Sequence, residues 1–461
     1  MIIILLVTWS NFDAFLFLCI VSKFKGDTAW LLASTALVLM MTIPGLGLFY
    51  GGMVREKNVL SVLMQMFSIT ALITFLWFAF GYSLSFGPIG GKETDWPYHK
   101  NMVIGDSSRF WFHGLNVNSA HALAPTIPET VFCTYQLTFA IITAALISGS
   151  FADRMKFGPM LVFMALWHLL VYCPIAHWNW HPDGFLNMAG VLDFAGGNVV
   201  HIASGCAGLM SSIVVGNRKG FGQVAFPPYN ILYSVTGAAL LWVGWFGFTA
   251  GSAVAANTIA GQAMLNTQIS AGTSALVWLF VDWAWNGKPS VLGIGCGAVA
   301  GLVYITPACG FVDTTGSFFI GLTGAPIGFF GAQLKHWAGL DDALDAFGIH
   351  AICGMWGGLM VGFFASWEIS GGVDGIFYDD NSKGRHGVLQ LAVQLYDIFI
   401  SAGWSSFMSF VILKLVDVTM GLRISDLEEL EGLDSSMHGE NIKSVESQEE
   451  GLEMSAEEYE A

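Results

Sequence analysis

The sequence predicts an all-α polytopic membrane protein, and three observations support that fold class. Hydrophobic residues make up 54% of the 461 residues, whereas charged residues make up only 11%. Apolar stretches recur along the chain, and most exceed the length of about 18 residues that spans a bilayer as a helix. Short polar turns separate these stretches. Because a chain in lipid must satisfy its backbone hydrogen bonds internally, we expect each stretch to be a helix.

Eleven transmembrane helices are expected, and together they form one domain over residues 28–418. The apolar runs fall at 28–52, 60–87, 126–150, 157–178, 192–215, 229–252, 266–286, 290–306, 315–336, 347–370 and 388–418. Residues 1–27 form an external N-terminal segment, for which a cleaved signal peptide, an extra span and a packed arm all remain open. Residues 419–461 form a tail that is expected to be disordered beyond about residue 440.

The distribution of basic residues predicts the orientation of the helices. Loops that follow odd-numbered spans, together with the tail, contain Arg55, Lys57, Arg154, Lys156, Arg218, Lys219, Lys288, Lys335 and Arg423. Loops after the fourth, sixth and eighth spans contain none. The positive-inside rule therefore places the tail in the cytoplasm and the N-terminus outside. The exceptions occupy the two longest external loops, where charge is a weaker topological signal: Lys92, Lys100, Arg109, Lys383 and Arg385.

The charge and cysteine content exclude some classes of partner and site. The net charge of −16 resides mostly in residues 421–461, which carry 13 acidic residues against two basic ones. The membrane body is therefore only mildly acidic, and no nucleic-acid partner is predicted. The seven cysteines include no CxxC pair. They are interpreted as small core residues, and neither a disulfide framework nor a metal site is predicted.

Two internal similarities predict an inverted repeat of five plus five helices, with one extra helix at the end. The stretch GLGLFYGG at 45–52 resembles WFGFTAGS at 245–252 in its order of aromatic residues and glycines. The fifth and tenth spans each carry one histidine, His201 and His350. Because five crossings reverse the direction of the chain, the two halves would be related by an axis in the membrane plane.

Glycines line up with both histidines at helical spacing. They are Gly197, Gly205 and Gly208 around His201, and Gly354, Gly358 and Gly362 after His350. Such glycines let helix backbones approach closely, so we expect the two imidazoles to face each other near the centre of the bundle. Each histidine could simply form a hydrogen bond between helices. Their symmetric placement and the cost of ionisable groups in lipid favour a substrate or proton path.

No metal or cofactor is predicted at these histidines, because no third ligand lies at helical spacing from either ring. The stretch HWNWH at 177–181 has histidines four residues apart, as in some zinc sites. A proline follows it immediately, and no carboxylate motif accompanies it. A metalloenzyme is therefore not expected.

Several polar and aromatic residues are predicted near the outer ends of the spans. Asp193 begins the fifth span, where a carboxylate can cap the helix or favour a cation outside it. Trp180 is placed in the loop before that span, Phe139 in the outer part of the third, and Phe248 near the outer end of the sixth. An aromatic face attracts a cation by about 0.5–2 kcal/mol. An interfacial aromatic belt explains the same residues equally well.

Five blocks of the chain resemble the Amt/Mep/Rh ammonium transporters, and within that family the Amt/Mep branch. They are TIPGLGLFYGGMVREKNVLSVLMQ (42–65), YQLTFAIITAALISGSFADRMKF (135–157), LDFAGGNVVHIASG (192–205), WVGWFGFTAGSA (242–253) and FGIHAICGMWGGLMVGFFA (347–365). With GLDSSMHGE in the tail, the resemblance spans about residues 26–440. The sequence departs from many relatives at Thr249 and Ala351, which leaves pore width and coupling to the tail open.

The resemblance implies a transporter with a pore in each subunit of a homotrimer, and no enzymatic activity. Ammonium would be recruited outside and deprotonated, and ammonia would cross an apolar pore while the proton travels separately. Recruitment is implied for Trp180, Ser252, Phe139 and Asp193, a gate for Phe139 and Phe248, and deprotonation for a region with Gln136 and Asp193. His201 and His350 match twin histidines that share a ring hydrogen bond.

The tail at 419–439 resembles a regulatory segment that packs on neighbouring subunits and holds the pores open. Ser436 stands where some relatives have a phosphorylatable threonine, although an unmodified serine fits equally well. A phosphate beside Asp434 would repel the segment, which makes a kinase or regulatory protein a possible partner. A eukaryotic plasma membrane is preferred as the location, and a bacterial inner membrane fits the same topology.

Two other functions remain to be weighed against transport. One is an ammonium sensor that signals through the tail with little flux. The other is an intramembrane hydrolase that uses His201 and Asp193, but the sequence has neither a GxSxG nor an HExxH element.

Overall fold

The structure is a computed structural model of one chain, and it describes residues 25–87, 101–379 and 386–442. Within these ranges the chain is helical, with isolated β-bridges and no strand. Its long helices, numbered in chain order, are α1 (Lys25–Met53), α2 (Glu56–Phe86), α3 (Glu129–Ser150), α4 (Phe157–Ala189), α5 (Gly197–Val215), α6 (Ile231–Gly251), α7 (Thr258–Asn286), α8 (Val291–Ile305), α9 (Thr314–Ala338), α10 (Phe347–Phe364) and α11 (Gly387–Met420).

Each of the eleven predicted apolar runs coincides with one of these helices, so the predicted all-α membrane fold is confirmed. In the described ranges, nine of the helices are long and apolar enough to cross a membrane. The other two are α7, whose 29 residues include several polar side chains, and α8, which has 15 residues. The helix α7 starts at Thr258, eight residues before the predicted run, because the Asn257 side chain caps it at the amide of Ala260.

The end of α4 corrects the predicted position of Trp180. The continuous helix extends to Trp180 itself, and a turn then leads to the short helix Phe185–Ala189. Helix formation stops at His181 because Pro182 disfavours helical geometry in the residue before it, and His181 has an extended backbone. Trp180 is therefore held on a helix end and does not lie in a loop.

The helices α5 and α10 are built alike, as expected for two related halves. Each begins with a six-residue π-helical turn, Gly197–Ile202 in α5 and Phe347–Ile352 in α10, and each turn carries the histidine of its helix. Such turns are rare and occur often at functional sites. Both turns continue directly into an α-helix.

The predicted glycine stripes lie only partly between α5 and α10. A Cβ on Gly354 would lie 3.1 Å from the Cβ of His201, and one on Gly205 would lie 2.7 Å from the Cβ of Ala351. These two glycines therefore allow the close contact between the two helices. The remaining stripe glycines allow close contact with other elements: Gly358 and Gly362 face α11, Gly208 faces Ser150, and Gly197 faces Pro307.

The tail forms two short helices, α12 (Asp426–Glu431) and α13 (Leu433–His438), that pack on the start of α2 of the same chain. The Asp434 carboxylate accepts hydrogen bonds from the amides of Leu60 and Ser61. Lys57 donates to the carbonyl oxygens of Glu429 and Leu430. We call this end of the bundle the tail side and the opposite end the Trp180 side.

Some predictions concern residues that the structure does not describe. The segment 1–24, the end of the tail from residue 443, and four of the five exceptional basic residues lie outside the described ranges. Residues 25–27 of the predicted N-terminal segment belong to α1. The Asp27 carboxylate accepts a hydrogen bond from the amide of Ala256, which ties the start of α1 to the chain after α6.

Candidate functional site

Two phenylalanine rings close the centre of the bundle on the Trp180 side. Phe139 of α3 and Phe248 of α6 stack with their centroids 4.2 Å apart and their planes inclined by 18°. Both are fully buried. The hydroxyl of Tyr135, one turn before Phe139, donates to the carbonyl oxygens of Gly247 and Phe248, which lie 2.9 Å away. Tyr135 therefore holds α3 and α6 in the register that stacks the two rings.

Trp180 lies directly beside this pair. Its ring meets Phe139 edge to face at 5.8 Å and stacks on Phe86 of α2 at 6.3 Å. Its indole Nε1 donates to the carbonyl oxygen of Asp193 at 2.9 Å. Three helices thus bring one indole against two phenylalanine rings, an arrangement of aromatic faces that can attract a cation.

Ser252 is brought to the same place, but Gln136 is not joined to Asp193. The Ser252 hydroxyl donates to the carbonyl oxygen of Phe248 at 2.9 Å and lies 3.4 Å from the Tyr135 hydroxyl. Gln136 precedes Phe139 by three residues on α3, and its Oε1 is buried with no hydrogen-bond partner in the described residues. In the described ranges, no hydrogen bond connects its side chain with the Asp193 carboxylate, whose partners are all backbone amides.

The Asp193 carboxylate caps the π-helical turn that carries His201. It accepts hydrogen bonds from the amides of Gly196, Gly197, Asn198 and Val199 at 2.5–3.2 Å. The first amides of a helix have no partner within the helix, and here one side chain satisfies four of them. Gly196 makes the approach possible, since its φ of 105° is in the left-handed region. Asp193 therefore acts on the site through the backbone it orders.

The two histidines meet below the phenylalanine pair. Their rings stack with centroids 5.4 Å apart and planes inclined by 12°. Trp245 also stacks on His201, at the same distance and angle. The predicted meeting of the rings is confirmed. The expected hydrogen bond between the two rings is not found among the described residues. Within the described chain, both ring nitrogens of His201 and the Nδ1 of His350 have no partner.

An apolar cavity lies beside the two histidines and is bordered by Phe248. Its lining consists of Met41, Leu46, Phe49, Ile142, Leu146, Val200, His201, Leu241, Trp245, Phe248, Val299 and His350. The two imidazoles and the Trp245 indole are the polar groups in this lining. Burying an ion in such surroundings is costly, whereas a small neutral molecule meets a much lower barrier. No group of three or more histidine, cysteine or acidic side chains in the described ranges is arranged to hold a metal.

The sequence interpretation missed several residues of this site. Tyr135, Trp245 and Phe86 gave no distinct signal, because aromatic residues are abundant throughout the chain. Asp397 did give one, since it is a carboxylate in the interior of the apolar run 388–418, whose other carboxylate, Asp417, lies at the end of the run. In the structure it is fully buried on α11, where Asn198 and Ser401 donate hydrogen bonds to it. Through Asn198, it supports the same π-helical turn as Asp193.

Comparisons with known proteins identify the family of this chain. Residues 29–443 match the model of the Ammonium Transporter Family. The chain belongs to the ammonium transporter family. It is 45% identical over 417 residues to an ammonium transporter of Bacillus subtilis, which covers 90% of this chain and 98% of that protein. It is 43% identical over 432 residues to an ammonium transporter of Aquifex aeolicus, covering 94% and 96% of the two chains.

The fold of the family is found in solved structures. The crystal structure of Candida albicans Mep2 matches with a TM-score of 0.78 and 35% identity, over 88% of this chain and 87% of that one. Family membership is therefore supported along nearly the whole length of the chain, and the eleven-helix architecture is that of the family.

Proposed function

We propose that this protein carries ammonium across the membrane by taking the ion apart and moving ammonia and a proton separately. One observation carries the proposal. Trp180, the stacked pair Phe139 and Phe248, and the stacked pair His201 and His350 follow one another into a buried apolar cavity.

Recruitment of the ion is assigned to Trp180, Phe139 and Ser252. The indole and phenyl faces offer cation–π attraction, and the hydroxyl of Ser252 can accept a hydrogen bond from the ion. These contacts replace part of its hydration shell. Phe139 and Phe248 then act as the gate, because their stacked rings fill the path and must separate before anything passes.

Selectivity follows from what lies beyond the gate. Ammonium and potassium have similar size and the same charge, so an electrostatic filter alone would separate them poorly. Ammonium can lose its proton, and potassium cannot. An apolar cavity therefore admits ammonia and rejects potassium, because potassium would have to enter without a compensating partner.

The proton path is assigned to the two histidines. Both nitrogens of His201 are free of other partners among the described residues, so the ring can bond to ammonia or to water on either edge. Gln136, with its unpartnered oxygen, and Asp193 belong to the deprotonation region in this proposal. Asp193 contributes by ordering the turn and by its negative charge.

The proposed setting is the plasma membrane, with the Trp180 side outside and the tail in the cytoplasm. The distribution of basic residues supports this orientation, since Arg55, Arg154, Arg218 and Arg423 all lie on the tail side, where hydrogen bonds or ion pairs connect them. A homotrimer with one pore in each subunit is proposed from the family resemblance.

The tail is proposed to regulate transport from its docked position. The hydroxyl of Ser436 donates to the carbonyl oxygen of Gly432. Asp434, two residues before Ser436, accepts hydrogen bonds from the amides at the start of α2. A phosphate on Ser436 would add negative charge beside Asp434 and favour undocking. Ser436→Asp should lower uptake, whereas Ser436→Ala should leave it near the level of the unchanged protein. Equal uptake by both variants would remove Ser436 as a regulatory site.

Transport itself is tested by measuring currents in cells that lack their own ammonium transporters. The unchanged protein should give a current with ammonium and none with potassium. His350→Ala should abolish the ammonium current or admit potassium, while His113→Ala, which changes an exposed histidine, should do neither. An unchanged, selective current in His350→Ala would contradict the assignment of the histidines.

The same cells distinguish transport from the alternative, an ammonium sensor. The docked tail is the route by which a sensor would signal, since hydrogen bonds connect it with the start of α2. A transporter restores growth on low ammonium. A sensor leaves growth unrestored and produces a tail-dependent signal even when the gate is blocked.

A further inference from the structure

The outer end of α2 is tied to the rest of the Trp180 side by three histidines. The carbonyl oxygens of Ser85, Phe86 and Gly87 are consecutive, and each faces an imidazole nitrogen: Nδ1 of His177 at 3.1 Å, Nε2 of His121 at 3.0 Å, and Nε2 of His181 at 2.8 Å. We call these three side chains the histidine clasp. The last carbonyls of a helix have no partner within it, so the clasp satisfies groups that would otherwise be buried without one.

The clasp surrounds the contact between Phe86 and Trp180. Phe86 is the middle one of the three residues whose carbonyl oxygens face the clasp, and its ring stacks on Trp180 with an interplanar angle of 12°. His177 and His181 flank Trp180 on α4, and their rings stack on each other at 4.4 Å. His121 comes from the loop before α3 and stacks on Phe132, which in turn packs against Phe86. The clasp therefore connects α2, α3 and α4 around one aromatic pair.

We propose that the histidine clasp positions Trp180 for ammonium recruitment and makes recruitment sensitive to external pH. This inference rests on the proposed function, in which Trp180 recruits the ion. The three histidines are positioning residues, because they act on the ion through Phe86 and Trp180 and do not line the apolar cavity.

The hydrogen bonds of His121 and His181 depend on a neutral ring. Each donates from Nε2 to a carbonyl oxygen and accepts at Nδ1 from the backbone amide two residues later, Leu123 and Asp183 respectively. A protonated imidazole has no acceptor. Protonation therefore breaks the hydrogen bond from the backbone amide to Nδ1 in both histidines. This loss occurs even though the new positive charge would face the negative end of the α2 dipole.

His177 responds in the opposite way. Its Nδ1 faces the carbonyl oxygen of Ser85, and its Nε2 faces that of Asn101. A neutral ring can donate to one of these oxygens, whereas an imidazolium can donate to both. The ring of His181 lies against it, so charging both histidines brings two like charges into contact. Acidification thus removes hydrogen bonds at His121 and His181 and adds one at His177.

Other charged groups around the clasp set the pH at which this happens. The Asp183 carboxylate lies 3.9 Å from Nδ1 of His181, and Asp106 and His121 also act on that ring. Asp183 and His181 act on His177. Glu129, paired with Arg109 and Tyr82, faces His121.

The balance is clearest for His121, which lies outside the membrane spans. Burial lowers the pKa of His121 below its usual value, although the carbonyl of Phe86 and the charge of Glu129 oppose the shift. The folded ring therefore resists protonation more than an exposed ring does. The clasp is intact at neutral pH, and its contribution is lost as pH falls below about 6.5, the ordinary value for histidine.

The experiment measures uptake of labelled methylammonium at a series of external pH values, with KM and Vmax separated and corrected for the amount of protein at the surface. In the unchanged protein, KM should stay nearly constant between about pH 7.5 and about pH 6.5 and rise as pH falls further, because burial lowers the pKa of His121 below its ordinary value of about 6.5. His181→Ala should raise KM at neutral pH by roughly fivefold, the size of one weakened recruitment contact, with little change in Vmax.

His181→Gln provides the conservative variant. Its amide can donate to Gly87 as the imidazole does, but it does not titrate. At neutral pH, His181→Gln should have the KM of the unchanged protein. The double variant His181→Gln with His121→Gln should lack most of the rise in KM at acidic pH. His113→Gln, an exposed histidine of the same face, should keep the profile of the unchanged protein. If His181→Ala does not reach the surface, the glutamine variants still decide the question.

Failure of the clasp can be told apart from failure of recruitment. Trp180→Ala in the same assay should raise KM. If it does and the double glutamine variant keeps the acid-dependent rise in KM, the clasp proposal is wrong and recruitment stands. If Trp180→Ala leaves KM unchanged, the recruitment assignment fails, and the clasp proposal falls with it.

Discussion

The indole nitrogen of Trp180 donates a hydrogen bond to the backbone carbonyl oxygen of Asp193, 2.9 Å away. The carboxylate of Asp193 also accepts hydrogen bonds from the π-helical turn that carries His201 and so orders this turn. One residue therefore connects Trp180, the proposed recruitment residue, with His201, which lies beyond the proposed gate. The two halves of the proposed mechanism are held in a fixed relation by backbone and side chain of a single aspartate.

This hydrogen bond can be tested without removing the aromatic surface. Trp180→Phe keeps a ring next to Phe139 but loses the indole N–H. A typical hydrogen bond contributes about 0.5–1.5 kcal/mol, so KM for methylammonium should rise roughly twofold to tenfold. Trp111→Phe, which changes an exposed tryptophan on the same face, is the control and should leave KM unchanged. A Trp180→Phe variant with unaltered KM would show that the bond to Asp193 does not position the ring.

The carboxylate of Asp193 should contribute more to stability and to uptake than the carboxylate of an ordinary helix cap. Asp193→Asn replaces one acceptor oxygen by an NH2 group and leaves at least one buried amide among residues 196–199 without a partner. Each such loss costs about 1–3 kcal/mol. We expect a lower Tm in detergent and a loss of uptake.

The matched control for that change is Asp313→Asn. Asp313 caps α9 through the single amide of Gly316, and its other oxygen accepts an exposed hydrogen bond from the Tyr378 hydroxyl. An asparagine side chain fills such a cap position well. Its Tm should stay close to that of the unchanged protein. Equal stability of both variants would mean that the four hydrogen bonds to Asp193 contribute little to the fold.

The helices could be predicted from the sequence, whereas the fine geometry of the site could not. Lipid forces each apolar run into a helix, so run length and polar turns were enough to locate all eleven. The same reasoning misplaced Trp180, because the helix continues two residues beyond the apolar run. A proline at 182 was the signal that marks its true end.

The meeting of His201 and His350 followed from symmetric placement and adjacent glycines, but the orientation of the rings did not. The π-helical turns shift each histidine relative to an ideal helix, and no propensity rule predicts such turns in these segments. Asp397 shows the converse, since its position in an apolar run gave a usable signal that was not followed.

Close contact between α5 and α10 is needed to hold the histidine pair. Gly205→Ala would place a Cβ 2.7 Å from that of Ala351, and overpacking of this kind costs about 1–3 kcal/mol. We expect a reduced Tm together with reduced uptake per molecule at the surface. Gly403→Ala on α11, where a new Cβ meets open space, should keep full uptake. Full uptake and Tm in Gly205→Ala would show that the two helices can separate without harm to the path.

The stability of the protein should decrease in acid because of one buried ion pair on the tail side. Arg218 binds Asp341 through two nitrogens at 2.7–2.8 Å, and both side chains are almost completely buried. Burial alone would raise the pKa of the Asp341 carboxyl, but the hydrogen bonds and charge of Arg218, together with Arg154, lower it overall. A carboxyl whose pKa is lowered by folding stabilises the protein above its unfolded pKa of about 3.9.

That contribution is lost as pH falls through the lowered pKa, so the Tm of the unchanged protein in detergent should drop steeply below about pH 4. Asp341→Asn should have a lower Tm at neutral pH, since breaking a buried pair costs about 3–5 kcal/mol. Its Tm should also change less with acid, because the titrating group is gone. Asp426→Asn, whose partner Lys219 is exposed, is the control and should follow the unchanged protein at every pH. If Asp341→Asn keeps the full acid dependence, other carboxylates must be responsible for it.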